Sequence, residues 1–289
     1  MLLRDTNVVK APAMKNYYPL LCIFTFLLCT HTALAAPFAG IFPDGEKPPL
    51  FTFLFVTFLG IITALAIHEL GHLLTGLAQG FRFEMFVVFL LGIKRTGKGD
   101  VKVYINKNIG YMGGIAATVP TDPHADNRRK FARVIIAGPL ASLVFALLCF
   151  AGLTFAKGAL FSFFLIAGAS SIGLFFATTL PKKSGMFFTD RARYQRLISK
   201  GKSACSEAAL LEIMAIAVKD NSCKNLPLEK MRLLQEDDED FMRFWGYYYE
   251  YYYFKENEND TYTATAKEKL LGMKSAVDKS VWKMLKIEG

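Results

Sequence analysis

Residues 50–78 read LFTFLFVTFLGIITALAIHELGHLLTGLA, an apolar run interrupted by ionisable side chains only at His68, Glu69 and His72. About 20 helical residues cross a ~30 Å hydrocarbon core, so this run predicts a membrane helix. Three further runs, 18–42, 134–156 and 159–180, have the same texture. The expected fold class is therefore an all-α polytopic membrane protein with four transmembrane helices. Composition agrees: 53% of the 289 residues are hydrophobic and only 20% are charged, against about 25% charged in a soluble domain. This excludes a disordered chain and a disulfide-stapled miniprotein.

The first run admits two readings. A basic stretch precedes it, and Ala33-Leu34-Ala35 resembles a signal-cleavage site. A cleaved signal and a retained helix both fit; retention is favoured because apolar residues continue through Phe38 to Phe42.

The net charge of +9 would suit nucleic acid, but its distribution argues against that partner. Residues 182–289 hold 19 Lys and Arg against 17 Asp and Glu, so the tail is nearly neutral. The excess flanks the membrane helices: Arg4, Lys10 and Lys15 before the first, and Arg82, Lys94, Arg95, Lys98, Arg128, Arg129 and Lys130 among those between the second and third. This is positive-inside asymmetry. It puts the N-terminus, the 81–130 segment and the tail in the cytoplasm, with a bacterial plasma membrane as the expected host. Three parts follow: 1–49, a membrane helix or cleaved signal with a short external loop; 50–190, the membrane core; and 191–289, a helical cytoplasmic domain. The five cysteines, at 22, 29, 149, 205 and 223, show no metal spacing and read as small apolar fillers.

His68-Glu69-Leu70-Gly71-His72 is an H-E-x-x-H motif. On a helix, positions i and i+4 share a face, so both imidazoles can reach one metal. Glu69 lies about 100° round, close enough to hold the metal's water. Zn²⁺ suits neutral imidazole and brings the pKa of its water to about 7, and a neighbouring carboxylate can then act as general base. Three ionisable residues deep in an apolar helix cost at least a few kcal/mol each, which packing alone does not repay. From Leu50 to His68 is about 27 Å of helix, so the metal lies within the membrane thickness, nearer the cytosol.

Catalytic zinc usually takes a third protein ligand. His31 and His124 are poorly placed for it. Asp190 follows the fourth run on the same cytoplasmic side, while Asp122 and Asp126 compete from another cytoplasmic loop. Spacing alone leaves that choice open.

Residues 50–195 resemble the site-2 protease family of intramembrane zinc metalloproteases. His68-Glu69-Leu70-Gly71-His72 matches its zinc motif. Gly138-Pro139-Leu140-Ala141-Ser142 resembles its Gly-Pro segment, and Leu180-Pro181 through Thr189-Asp190 resembles the segment carrying its third ligand. The resemblance implies His68, His72 and Asp190 as Zn²⁺ ligands and Glu69 as catalytic acid/base. It implies substrate handling at Thr179 and Ser142, where the family often has Asn. Arg191 stands where Gly usually follows the ligand Asp. These departures leave the zinc set intact and bear on substrate handling.

Alternation over Val101–Ile105 and the Gly-rich turn before it predict a small β-hairpin between the second and third helices. The resemblance implies that it lies near the active site and can pair with an extended substrate. In the tail, helical spacing covers Glu207–Val218, roughly Leu228–Phe254, and Ala264–Ile287. The acidic run Glu236–Asp240 is expected to be solvated and the tyrosine-rich face packed. The tail offers a surface for a regulator. The function expected is zinc endopeptidase, cleaving membrane-spanning or membrane-anchored peptides within the lipid bilayer near its cytoplasmic face. The alternatives are a catalytically inactive membrane scaffold and a metal-binding membrane protein.

Overall fold

The computed structural model describes residues 49–277 and Trp282, apart from 98, 182 and 185–186, with the backbone alone described at 183–184. The run 18–42 lies outside the described residues, as does the expected first helix. Three long apolar helices are present among the described residues: α1 (Leu50–Ala78), α2 (Asn127–Gly152) and α3 (Gly158–Thr179). At ~1.5 Å per residue each exceeds ~30 Å, enough to span hydrocarbon. All three are long and apolar enough to cross a membrane.

Their surfaces invert the soluble pattern. Phe51 is 82% exposed, Leu148 64% and Phe176 58%, while the polar His68, Glu69, His72 and Ser142 are buried. Where the outer solvent is lipid, apolar side chains cover the outside and polar groups turn inward. Close helix contact depends on small residues: a Cβ on Gly71 of α1 would stand 2.6 Å from the Ala137 carbonyl oxygen of α2.

Between α1 and α2 lies a four-stranded antiparallel sheet rather than a lone hairpin: β1 (Arg82–Val88), β2 (Leu91–Arg95), β3 (Val101–Ile105) and β4 (Ile115–Val119), in the order β3-β2-β1-β4. The predicted hairpin is the β2–β3 pair, with Arg95 opposite Val101 and Gly92 opposite Tyr104. β1 escapes an alternation search because Phe86, Val87 and Val88 are buried in succession. Phe86 and Val88 pack with Leu73 and with Leu65, Ala66 and Leu70 of α1. Phe86 also pairs with Ala116 of β4, an edge strand of the sheet.

After α3 the chain reverses through two short paired strands, β5 (Lys183–Ser184) and β6 (Phe187–Phe188). The Thr189 hydroxyl donates to the Leu180 carbonyl at 2.7 Å, which closes the excursion. Helix α4 (Asp190–Ile198) begins there. Leu197, 1% exposed, packs with Ala132 and Ile135 of α2 and with Leu211.

The rest of the tail is helical: α5 (Lys202–Asp220), α6 (Leu228–Gln235), α7 (Asp240–Glu256) and α8 (Asp260–Gly272). Tyr248, Tyr249 and Tyr251 are buried in its core with Met231, Leu234 and Phe244, so the tyrosine face is packed as expected. Two expectations need correction. The segment Leu228–Phe254 is two helices, broken at the acidic run. That run is not wholly solvated: Asp237 is 3% exposed, and its carboxylate caps the Glu239 amide at 2.9 Å. A cap of this kind satisfies an amide that a continuous helix would have paired with a carbonyl.

Candidate metal centre

His68 and His72 stand one turn apart on α1, both buried. Their Nδ1 atoms face α2. Nδ1 of His72 donates to the Val134 carbonyl oxygen at 2.8 Å, and Nδ1 of His68 lies 3.0 Å from Ser142 Oγ. A carbonyl can only accept, so the His72 proton sits on Nδ1; Ser142 Oγ can accept the His68 proton likewise. Such outer partners fix the tautomer and aim the other nitrogen. Pro139 withdraws an amide from the ladder in this part of α2. The neighbouring Gly138 gives the His72 ring its space, since a Cβ there would collide with Nε2, Cε1 and Cδ2 of the imidazole.

The two Nε2 atoms converge on a third atom able to ligate. They are 3.3 Å apart, and Oδ2 of Asp190 is 3.3 Å from His68 Nε2 and 3.5 Å from His72 Nε2. Asp190 is the first residue of α4, with Thr189 as its N-cap. Its side chain is 19% exposed. Burial raises the Asp190 carboxyl, but imidazole protons turned toward it would outweigh this and lower it to about 2. With those protons on Nδ1 instead, the carboxylate is left facing the rings without a donor.

Whether a metal fits can be tested on these distances. With the protons on Nδ1, two nitrogen lone pairs and a carboxylate oxygen face one another. Oδ2 is buried and has no well-formed hydrogen bond. Three acceptors in mutual contact repel unless a cation lies among them. Tetrahedral zinc bonds of ~2.0–2.2 Å separate neighbouring ligand atoms by about 3.3–3.6 Å, which matches the triangle found. Among the described residues, His68, His72 and Asp190 form the one group of three or more His, Cys, Asp or Glu side chains able to hold a metal. The competing carboxylates are exposed and engaged locally: Asp122 Oδ1 accepts from the His124 amide, and Asp126 Oδ1 accepts from the Arg129 amide.

Glu69 is 9% exposed and accepts a hydrogen bond from the Ala116 amide of β4. Its Oε1 lies against Gly114, where φ is +104° and a Cβ would stand 2.6 Å away. Glycine at 114 thus serves twice, adopting a backbone that L-residues rarely take and leaving room for the carboxylate. The site brings one edge of the sheet to the motif glutamate.

The two remaining sequence candidates are placed differently. Ser142 is fully buried against His68. Thr179 ends α3, and its hydroxyl donates back to the Phe175 carbonyl at 2.6 Å. Arg191 is exposed, away from the core. Gly138 and Ala116 act on the motif side chains, yet only the fold reveals it: an adjacent Gly-Pro pair and a short Ile-Ala-Ala-Thr-Val strand carry no chemistry of their own.

Residues 56–286 match the family model described as Peptidase family M50. The searches of curated proteins and of solved structures returned no match.

Proposed function

The chain belongs to peptidase family M50, the site-2 protease family of membrane metalloproteases, and from that premise we propose that it is an intramembrane zinc endopeptidase. The observation that carries the reading is the converging triangle of His68 Nε2, His72 Nε2 and Asp190 Oδ2 beside a buried motif glutamate. In this reading His68, His72 and Asp190 hold Zn²⁺. The metal, when bound, supplies Lewis acidity for the attacking water and the scissile carbonyl.

The protein's own groups do the rest. Val134 and Ser142 keep the Nε2 lone pairs of His72 and His68 aimed inward. Glu69 takes a proton from the attacking water and passes it to the leaving amine nitrogen. The Ala116 amide orients the glutamate for both transfers.

The substrate is a membrane-spanning or membrane-anchored peptide that must leave its helix before cleavage, because helical peptide bonds are poorly exposed to a nucleophile. The edge position of β4 and its contact with Glu69 support pairing of an extended substrate along that strand. Thr179, at the end of α3, is kept as a candidate substrate contact. The basic segments support a cytoplasmic setting for the sheet and tail, and the tail is the surface we assign to a regulator.

The test is Glu69→Gln. The variant should bind zinc like the wild type, because a base is removed and no ligand is lost, and should cleave no membrane-protein substrate. Comparison of membrane-protein fragments from wild-type and Glu69→Gln cells should reveal products found only with the wild type. Zinc binding with identical fragments in both would support a metal-binding protein or an inactive scaffold and overturn the peptidase reading.

A further inference from the structure

The carboxylate of Asp190 owes its position to α4, and what holds α4 is not in the membrane core alone. α4 has nine residues, too few for an isolated helix to be stable. Its pose comes from its neighbours. The apolar contact of Leu197 with Ala132 and Ile135 presses it against α2, but apolar contact is non-directional and tolerates sliding along the helix axis.

Its two ends are tied by the Thr189–Leu180 hydrogen bond and by Arg128 of α2, which donates to the Ser199 carbonyl at 3.3 Å, while the buried ion pairs along its length come from the tail. Arg193 and Arg196 stand three and six residues beyond Asp190, about 4.5 and 9 Å further along α4. Both reach Glu207 of α5, whose side chain is fully buried: Arg196 Nε is 3.0 Å from Oε1 and Arg193 Nε is 3.5 Å from Oε2. Arg196 also grips Asp237, just past α6, at 2.8 Å, and that side chain is 2% exposed. The guanidinium of Arg193 lies 4.7 Å from the Phe131 ring of α2 and 5.2 Å from the Phe241 ring of α7; that of Arg196 lies 5.0 Å from the Phe188 ring. Two cations thus meet two carboxylates where water is excluded.

We propose that Glu207, through Arg193 and Arg196, positions Asp190 as a metal ligand, so that the helical tail is part of the metal centre. The inference rests on the metal-site reading above and adds a residue of the tail to it. Its physical basis is tolerance. Metal–ligand distances hold to about ±0.2 Å, whereas a helix held only by apolar contacts can move by more. The Arg196 guanidinium, donating Nε to Glu207 and Nη2 to Asp237, spans two buried carboxylates and fixes both direction and register. Glu207 is a positioning residue, not a catalytic one, and its influence on the metal must pass through Asp190.

That path gives a test which a merely stabilising role would fail. Zinc affinity is measured by chelator competition on the full chain in detergent, for the wild type, Glu207→Gln, Asp190→Ala and the double variant. Circular dichroism serves as the folding control. Glu207→Gln should weaken zinc tenfold or more, in the range seen for outer partners of metal ligands, and should alter the visible absorption of the Co²⁺-loaded protein. In the Asp190→Ala background the same change should cost nothing further. If Glu207→Gln does not fold, Arg196→Lys, which keeps the charge and loses the paired N–H bonds to Glu207 and Asp237, carries the same comparison. Wild-type affinity in the folded Glu207 variant, or equal losses with and without Asp190, overturns the inference and leaves the metal site standing. A wild type that binds no zinc, or an Asp190→Ala variant that binds it undiminished, overturns the metal-site reading itself.

Discussion

Nδ1 of His72 donates to the Val134 carbonyl at 2.8 Å across the α1–α2 contact, and one turn further along α2 the missing side chain of Gly138 makes room for the same ring. The imidazole is thus held by a hydrogen bond on one nitrogen and shaped space around the other. Gly138→Ala removes that space. The added methyl collides with ring atoms, so His72 must turn or α2 must shift, and either breaks the triangle with His68 and Asp190. Zinc affinity in chelator competition should fall at least tenfold. Gly113→Ala is the control, because a Cβ there meets nothing within 4 Å. Equal affinity in the two variants would mean that His72 does not ligate from this pose.

Ser142→Ala tests the second histidine. The serine is fully buried, and its Oγ is the partner of His68 Nδ1. Without it the ring gains nothing from keeping its proton on Nδ1, and the tautomer that protonates Nε2 removes the ligating lone pair. We expect a 10–100-fold loss of zinc affinity with helix content unchanged by circular dichroism. An unchanged affinity would show that His68 is oriented by something other than Ser142.

Topology can be read from two exposed lysines. Lys157 lies in the loop between α2 and α3, and Lys200 lies between α4 and α5. One spanning helix separates them, so they belong on opposite sides. In a chain whose five native cysteines are replaced by alanine, Lys157→Cys should react with a membrane-impermeant maleimide in intact cells. Lys200→Cys should react only after permeabilisation. Labelling of both from one side would undo the spanning assignment of α3 and the depth argument for the metal.

How much of this was legible depended on whether the signal was local. The H-E-x-x-H spacing and the length of the apolar runs are local, and both predict helix geometry directly. β3 was visible because residues 101–105 alternate apolar and polar, even though the apolar Val101, Val103 and Ile105 lie on an exposed face. β4 is short, and its importance lies in one amide given to Glu69, a contact between residues 47 apart in sequence. The tail misled in an instructive way. Glu236–Asp240 reads as a solvated face, because nothing within a helical turn suggests a partner. The partner of Asp237 is Arg196 on another element. Glu207 was likewise visible only as the start of a helical run, with no sign that two arginines of α4 converge on it.

The same network makes the attachment of the tail pH-dependent. Burial pushes the Asp237 carboxyl upward, but its donors, Arg196 and the Glu239 amide among them, more than offset this and leave it below the usual aspartate value. Arg193 and Glu207 complete the charged groups of the cluster, and the Arg243 guanidinium reaches the Asp237 carbonyl. The sign follows from linkage: a carboxyl lowered in the folded state adds stability above its unfolded value of about 3.9, and that stability is lost as pH falls through the folded value. Asp237→Asn keeps the shape and removes the charge, leaving Arg196 with Glu207 alone. Removing one of two carboxylates costs less than leaving a buried charge wholly unpaired, but it still weakens the attachment of the tail. At pH 7 the variant should therefore unfold at a clearly lower temperature than the wild type. As pH falls below about 4 the wild type should progressively lose its advantage while the variant changes less, so the two midpoints approach each other. A gap that stays constant from about pH 7 through the whole acid limb would show that the ionised Asp237 carboxylate contributes nothing to holding the tail.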